Sequence, residues 1–143
     1  MSDDLADMNA VLSSLHDGWL EALGFENKDA RNGAMSAASL SFRRCSDGAM
    51  VNVRIDEPRV FAFSEIMMPQ NIVFDAKIET VATYGLDGVR HAAGRLFRPG
   101  NGWLALESAL AAEDWVLDID PSIGMHGIAV THPERISISV AGS

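Results

Sequence analysis

Between Ser39 and Glu79 the apolar residues stop recurring every third or fourth position and start recurring every second one. A period of two places alternate side chains on opposite faces of an extended chain, so this stretch is confined to strands with one buried face. Leu40 and Phe42 alternate with Ser39, Ser41 and Arg43, and Val51, Val53 and Ile55 alternate with Asn52, Arg54 and Asp56. Asp47-Gly48 between the two runs supplies the positive-φ residues a tight turn needs, which predicts a hairpin. Glu57-Pro58-Arg59 reads as the next turn, Val60 to Ile66 as a third strand, and Pro69-Gln70-Asn71 as its break. Ile72, Phe74, Ala76 and Ile78 alternate with Val73, Asp75, Lys77 and Glu79, a fourth strand with a wet face. Short turns between these four strands predict an antiparallel meander, because parallel neighbours need long crossovers.

Helical spacing flanks this block. Leu5, Met8, Leu12, Leu15, Trp19 and Leu23 gather on one face of an N-terminal helix, with Asp3, Asp4 and Asp7 at its start, Gly18 as an internal weak point and Gly24 as its C-cap. Residues 26–33 read as an exposed connection. Leu86, Val89, Ala93, Leu96 and Phe97 predict a second helix, weakened by Gly88 and Gly94 and ended by Pro99-Gly100. Trp103 to Glu107, Trp115 to Asp120, Gly127 to Thr131 and Ile136 to Val140 read as strands, while 108–114 fits no one state. The expected fold is one α+β domain over 1–143: a curved antiparallel sheet with the N-terminal helix and a second helix packed on one face.

Composition narrows the function. Eleven Lys and Arg against 20 Asp and Glu give a net charge of -9, which repels nucleic-acid phosphates and anionic lipid. No apolar run approaches the roughly 20 residues of a membrane span, and the acidic start lacks a signal peptide's basic region, so a cytoplasmic protein is expected. Catalytic motifs are missing: there is no GxSxG elbow, no GxGxxG or phosphate loop, and no HExxH pair. His126 and His132 lie near Asp118 and Asp120, the residue types of a metal site, and Asp118 and Asp120 would share a strand face as paired carboxylates do. Six residues across a strand and turn fix no geometry, and i, i+2 carboxylates are also what a solvated face shows, so no metal, cofactor or catalytic residue is assigned. Cys45, beside Arg43 and Arg44, reads as packing material rather than a reactive thiol, and Gly94 to Gly102, with two arginines, as a loop rather than an anion site. Met67 and Met68 beside Pro69 stand out as apolar residues at a strand end, suited to a surface that adapts to varied peptides.

The acidic charge, the size and the element order resemble the class I type III secretion chaperones, the Tir-chaperone-like family. The residues carrying the likeness are Ile72 to Val81, Gly102 to Ser108, the helix position between them, and Leu23-Gly24-Phe25 at the end of the first helix. The chain departs from the family at its end, where HPERISISV reads as strand instead of a long helix. The resemblance implies a homodimer in the bacterial cytoplasm that binds an extended segment of a secreted effector, without catalysis. It carries the family's dimerising helix onto Val89, Ala92, Ala93, Leu96 and Phe97, and Phe61, Phe63, Met67 and Met68 are the candidate partner groove. Two other classes compete. A small-molecule-binding or enzymatic domain of the cystatin-like or nuclear-transport-factor-like kind would hold its ligand in a pocket lined by Trp19, Trp103 and Trp115. An inhibitor-type protein would block one partner with its acidic face.

Overall fold

The computed structural model describes residues 2–27, 36–64, 71–93, 108–123 and 126–141. Helix α1 (Ser2–Ser13) is followed by strands β1 (Trp19–Glu26), β2 (Ala37–Arg43), β3 (Met50–Asp56), β4 (Val60–Ser64) and β5 (Ile72–Thr80). Helices α2 (Val81–Tyr84) and α3 (Leu86–Ala93) come next, then β6 (Trp115–Ile123), β7 (His126–Thr131) and β8 (Ile136–Ala141). The expected α+β class holds, with all strand pairs antiparallel.

The first helix stops ten residues short of its expected end. After Ser13 the backbone tightens into i→i+3 bonds, Asp17 takes a positive φ of 64°, and Trp19 opens a strand. Gly18 is no helix interior: a Cβ there would lie 2.6 Å from the Arg43 carbonyl oxygen, so only glycine allows β2 to approach the turn. Trp19 and Leu23 keep the i, i+4 spacing of a helix, which is why the periodicity overran; Gly24 lies inside β1 and caps nothing. Residues 28–33 of the expected connection lie outside the described residues, as do Trp103 to Glu107 and the end of the second helix.

The expected β2–β3 hairpin forms, with a register running from Ala37↔Asp56 to Arg43↔Met50, and Gly48 turns with φ 73°. The meander does not form. The sheet order is β4-β7-β6-β5-β1-β2-β3-β8, which places β3 and β4, consecutive in the chain, six places apart. Strands about 4.8 Å apart would put about 29 Å between those positions in a flat sheet. The connection from Asp56 to Val60 reaches at most about 14 Å. The sheet must therefore curl until its two ends meet, and the same argument applies to β7 and β8.

The two corners hold each other. The Asp56 amide donates to Arg135 O (2.8 Å), Thr131 Oγ1 donates to Asp56 O (3.0 Å) and the Arg59 amide donates to Val130 O (2.7 Å). Each corner contains a glutamate in the left-handed region, Glu57 (φ 47°) and Glu134 (φ 67°). Short turns thus join strands as expected, but into two bent ribbons instead of a meander.

Curling gives the sheet an inside and an outside, and the strands alternate between them. Leu40, Phe42, Val53, Ile55, Leu117, Ile119 and Ala129 face inward, where α1 inserts the fully buried Leu12 and the turn after it inserts Leu15. Each Leu, Ile, Val and Phe among them contributes roughly 1.5–3 kcal/mol by leaving water. Val60, Ala62, Val116, Ile128 and Val130 face outward and are covered by Val81, Tyr84, Val89 and Ala92 of α2 and α3. The helices therefore pack on opposite faces, not on one. The period-two strands over β4, β6 and β7 are apolar on both sides, and each side needs its own cover.

At β5 the seam of the sheet is closed by a side chain. β1 pairs with β5 only at Trp19↔Ile72. Farther along, Asn9 of α1 takes the place of a strand: its Nδ2 donates to Ile78 O (2.9 Å) and its Oδ1 accepts from the Ile78 amide (2.7 Å). The amide side chain has the same donor–acceptor pair as a peptide group, so it satisfies one residue of the β5 edge. Among the described residues, no strand lies on the outer edge of β1 beyond Trp19, or on the second edge of β4.

Candidate functional site

Two places combine side chains that packing alone does not explain. The first is the mouth of the curled sheet. Phe61 and Phe63, at i and i+2 on β4, both face inward and are half-buried, with ring centroids 4.5 Å apart. Phe25, near the end of β1, meets Phe61 edge-on at 5.5 Å yet remains 57% exposed. An aromatic row thus runs from the core to the surface beside two strand edges on which no strand lies among the described residues. Gly127 makes the inner end possible: it is the cross-strand partner of Phe63, and a Cβ there would lie 1.8 Å from the Phe63 ring. Two further large apolar side chains are exposed near the β1–β5 seam, Trp19 (40%) and Phe74 (57%). Phe74 stacks edge-on with His16, whose Nδ1 lies 2.7 Å from Phe74 O. A bulge between Val73 and Asp75 lets Val73 and Ala76 both turn inward and leaves Phe74 outside.

The second place lies on the outer face, beside α2. Asp118 and Asp120 project from the same side of β6, and Asp120 stands across from His126 at the start of β7, one step beyond the Ile119↔Gly127 pair. His126 Nε2 is 3.6 Å from Asp120 Oδ1, and ligand-type atoms of all three residues lie within 4.8 Å of one another. Tyr84, the last residue of α2, directs its hydroxyl at Asp118 Oδ1 (3.4 Å). Gly88 leaves space for that ring, since a Cβ there would sit 2.9 Å from Tyr84 Cε1. Asp118 is only 5% exposed; burial first, then the charge of Asp120, pushes its carboxyl up to about 6. Burial, reinforced by Asp118, likewise raises the Tyr84 phenol, which keeps it protonated as a donor. Lys77, across from Asp118 on β5, has its ammonium 3.2 Å from Glu79.

The residues expected to act together are separated. His132 does not join His126: its Nδ1 lies 3.3 Å from Oδ1 of the fully buried Asp114, and its ring contacts the Arg59 guanidinium. Of the candidate groove, Phe61 and Phe63 belong to the mouth, whereas Met67 and Met68 lie outside the described residues. Of the candidate dimer helix, Val89 is fully buried against the chain's own outer face and Ala92 packs beside it. Ala93 ends α3, and Leu96 and Phe97 lie outside the described residues, as does the Gly94 to Gly102 loop. The tryptophan pocket is not assembled: Trp19 is on the surface while Trp115 is in the core, and Trp103 is not described. Cys45 is exposed in the hairpin turn and fills no space. Phe25 was missed because it follows Gly24 at what periodicity makes a helix end. The Asp118–Asp120–His126 grouping is visible in the sequence as residue types, with His132 beside it, but the spacing alone could not assign it, because nothing in it says that β6 and β7 are neighbours in this register.

No helix among the described residues is long and apolar enough to cross a membrane. No protein-family model, curated protein or solved structure matches the chain. The fold defines an α+β protein with a curled antiparallel sheet, helices on both faces and an aromatic row that reaches the surface at Phe25.

Proposed function

We propose that this chain is a binding protein that takes up an extended segment of another polypeptide at the mouth of its sheet. The observation that carries the reading is the Phe63–Phe61–Phe25 row, open to solvent at Phe25 and set beside edges of β1 and β4 on which no strand lies among the described residues. An extended segment bound there gains backbone hydrogen bonds from a strand edge and places alternate apolar side chains against the rings. Exposed edges of this kind otherwise invite self-association, and a net charge of -9 opposes it. The particular form of the reading is a chaperone of the class I type III secretion kind, whose client is a segment of a secreted effector. Any second copy in such a dimer would meet a surface other than Val89, which the chain's own core already occupies.

The test is selection from a display library of random linear peptides against the whole chain. Apolar-rich peptides should emerge, bind in extended form, and slow amide exchange across Ala22–Glu26 or Val60–Ser64. Phe25→Glu should abolish binding without unfolding the protein, since the ring is mostly in water. Binders indifferent to Phe25→Glu, or protection confined to α3, would refute the reading.

A further inference from the structure

We propose that Asp118, Asp120 and His126 form a binding site for a divalent transition-metal cation. The inference is separate from polypeptide binding, because the three residues lie on the outer face of the sheet and the aromatic mouth on the inner one. Two strands position the donors. Asp118 and Asp120 are two residues apart on β6, and His126 stands on β7 one step beyond the last β6–β7 pair, Ile119↔Gly127, so strands already paired in the sheet carry all three donors. The His126 and Asp120 atoms are 3.6 Å apart and all three donors lie within 4.8 Å. Ligands about 2.0–2.2 Å from a common cation are about 3–3.5 Å from one another, so closing the set needs only side-chain rotation.

Charge supplies an independent argument. Asp118 is 5% exposed and stands next to a second carboxylate, yet no lysine or arginine among the described residues makes an ion pair with either. Lys77, the nearest cation across the ladder, is taken by Glu79 at 3.2 Å. Among the described residues, the hydrogen bond that another element gives the Asp118 carboxylate comes from a neutral phenol, that of Tyr84, at 3.4 Å. Buried carboxylates are normally paired with a cation or coordinate a metal. Here the set has an imidazole on its exposed side and a route to solvent, since the Asp120 side chain is 46% exposed. One imidazole nitrogen with two carboxylate oxygens suits Zn²⁺, Mn²⁺ or Co²⁺; Ca²⁺ and Mg²⁺ favour oxygen alone. Three protein ligands leave coordination positions for water.

The test uses the full chain, stripped with chelator, and three probes in separate titrations: Zn²⁺ and Mn²⁺ by calorimetry and Co²⁺ by visible absorption. One cation per chain should bind, and Co²⁺ should develop bands that change in His126→Ala. His126→Ala and Asp120→Asn should each weaken binding about tenfold or more, and both change partly exposed side chains, so circular dichroism should match the parent. His16→Ala, which removes a histidine beside another carboxylate, Asp17, should leave the affinity unchanged. The proposal is overturned if no saturable 1:1 binding occurs below about 1 mM, or if His126→Ala and His16→Ala bind equally well. Variants that lose the parent's circular dichroism are replaced by His126→Gln, which keeps a polar side chain of similar length.

Discussion

Asn9 is the residue through which α1 is held to the sheet by more than apolar contact, and removing its amide gives a number that can be checked. Asn9→Ala deletes two hydrogen bonds, 2.9 and 2.7 Å long, to both backbone groups of Ile78, 69 residues away. A typical intramolecular hydrogen bond contributes about 0.5–1.5 kcal/mol net, and an orphaned buried group costs about 1–3 kcal/mol. The Ile78 backbone is partly buried, so water recovers some of that loss, and a combined cost of about 2 kcal/mol is reasonable. Alanine is the better helix former by about half a kcal/mol. The net expectation is a loss of about 1.5 kcal/mol, read as a lower urea midpoint at unchanged slope. Hydrogen exchange should localise the effect: the Ile78 amide should lose protection, while Val53 in β3 should not. Asn9→Asp sharpens the test. An ionised carboxylate accepts from the Ile78 amide but repels its carbonyl, so Asn9→Asp should be destabilised at neutral pH. Below the carboxyl's pKa the protonated acid can donate again, and its deficit relative to the parent should shrink. If Asn9→Ala costs under 0.5 kcal/mol and Ile78 protection is unchanged, then α1 is seated by the apolar contacts of Leu5, Met8, Val11 and Leu12, and Asn9 does not stand in for a strand.

Other perturbations address other parts of the molecule. Gly127→Ala drives a Cβ to within 1.8 Å of the Phe63 ring, so the ring must leave its place; overpacking of this kind costs typically about 1–3 kcal/mol, measurable by urea unfolding, and a neutral result would place Phe63 elsewhere. Leu12→Ala, at a fully buried position, should lose about 2–5 kcal/mol in the same assay. Two hydrogen bonds from Arg44, with a further one from the Ala49 amide, lower the Asp47 carboxyl to about 2. The sign follows from the lowered value: the ion pair stabilises the fold above the unfolded carboxyl's pKa, and that contribution disappears as pH falls from about 4 through about 2. Arg44→Gln should raise the Asp47 midpoint in a carboxyl ¹³C titration, and an unmoved midpoint would show that Arg44 does not hold it.

The local elements were mostly legible in residue order because they depend on neighbours in the chain. Alternation at Leu40–Phe42 and Val51–Ile55 selects strands, and Gly48 selects the turn, whatever the rest of the molecule does. The α+β class follows from the same local patterns. The limits of local reasoning show at Trp19 and Leu23, whose spacing suits a helix face as well as the inward side of a bulged strand. What ended the helix was the close approach of β2 to Gly18, a contact 25 residues away in the chain.

Everything that defines a site came from contacts between distant residues. The chain order implied neighbours for β3 and β4, but the two stand six places apart in the sheet, β3 paired with β2 and β8 and β4 with β7. That one topological fact curls the sheet, creates the mouth at Phe25 and Phe61, and sets helices on both faces. Asp118, Asp120 and His126 converge for the same reason: strand register is decided by which side chains can be buried together, a property of the whole fold. Periodicity therefore specifies the pieces of this protein and most of their inward faces. Their partners, and with them both candidate sites, are settled only when all the apolar surfaces compete for cover at once.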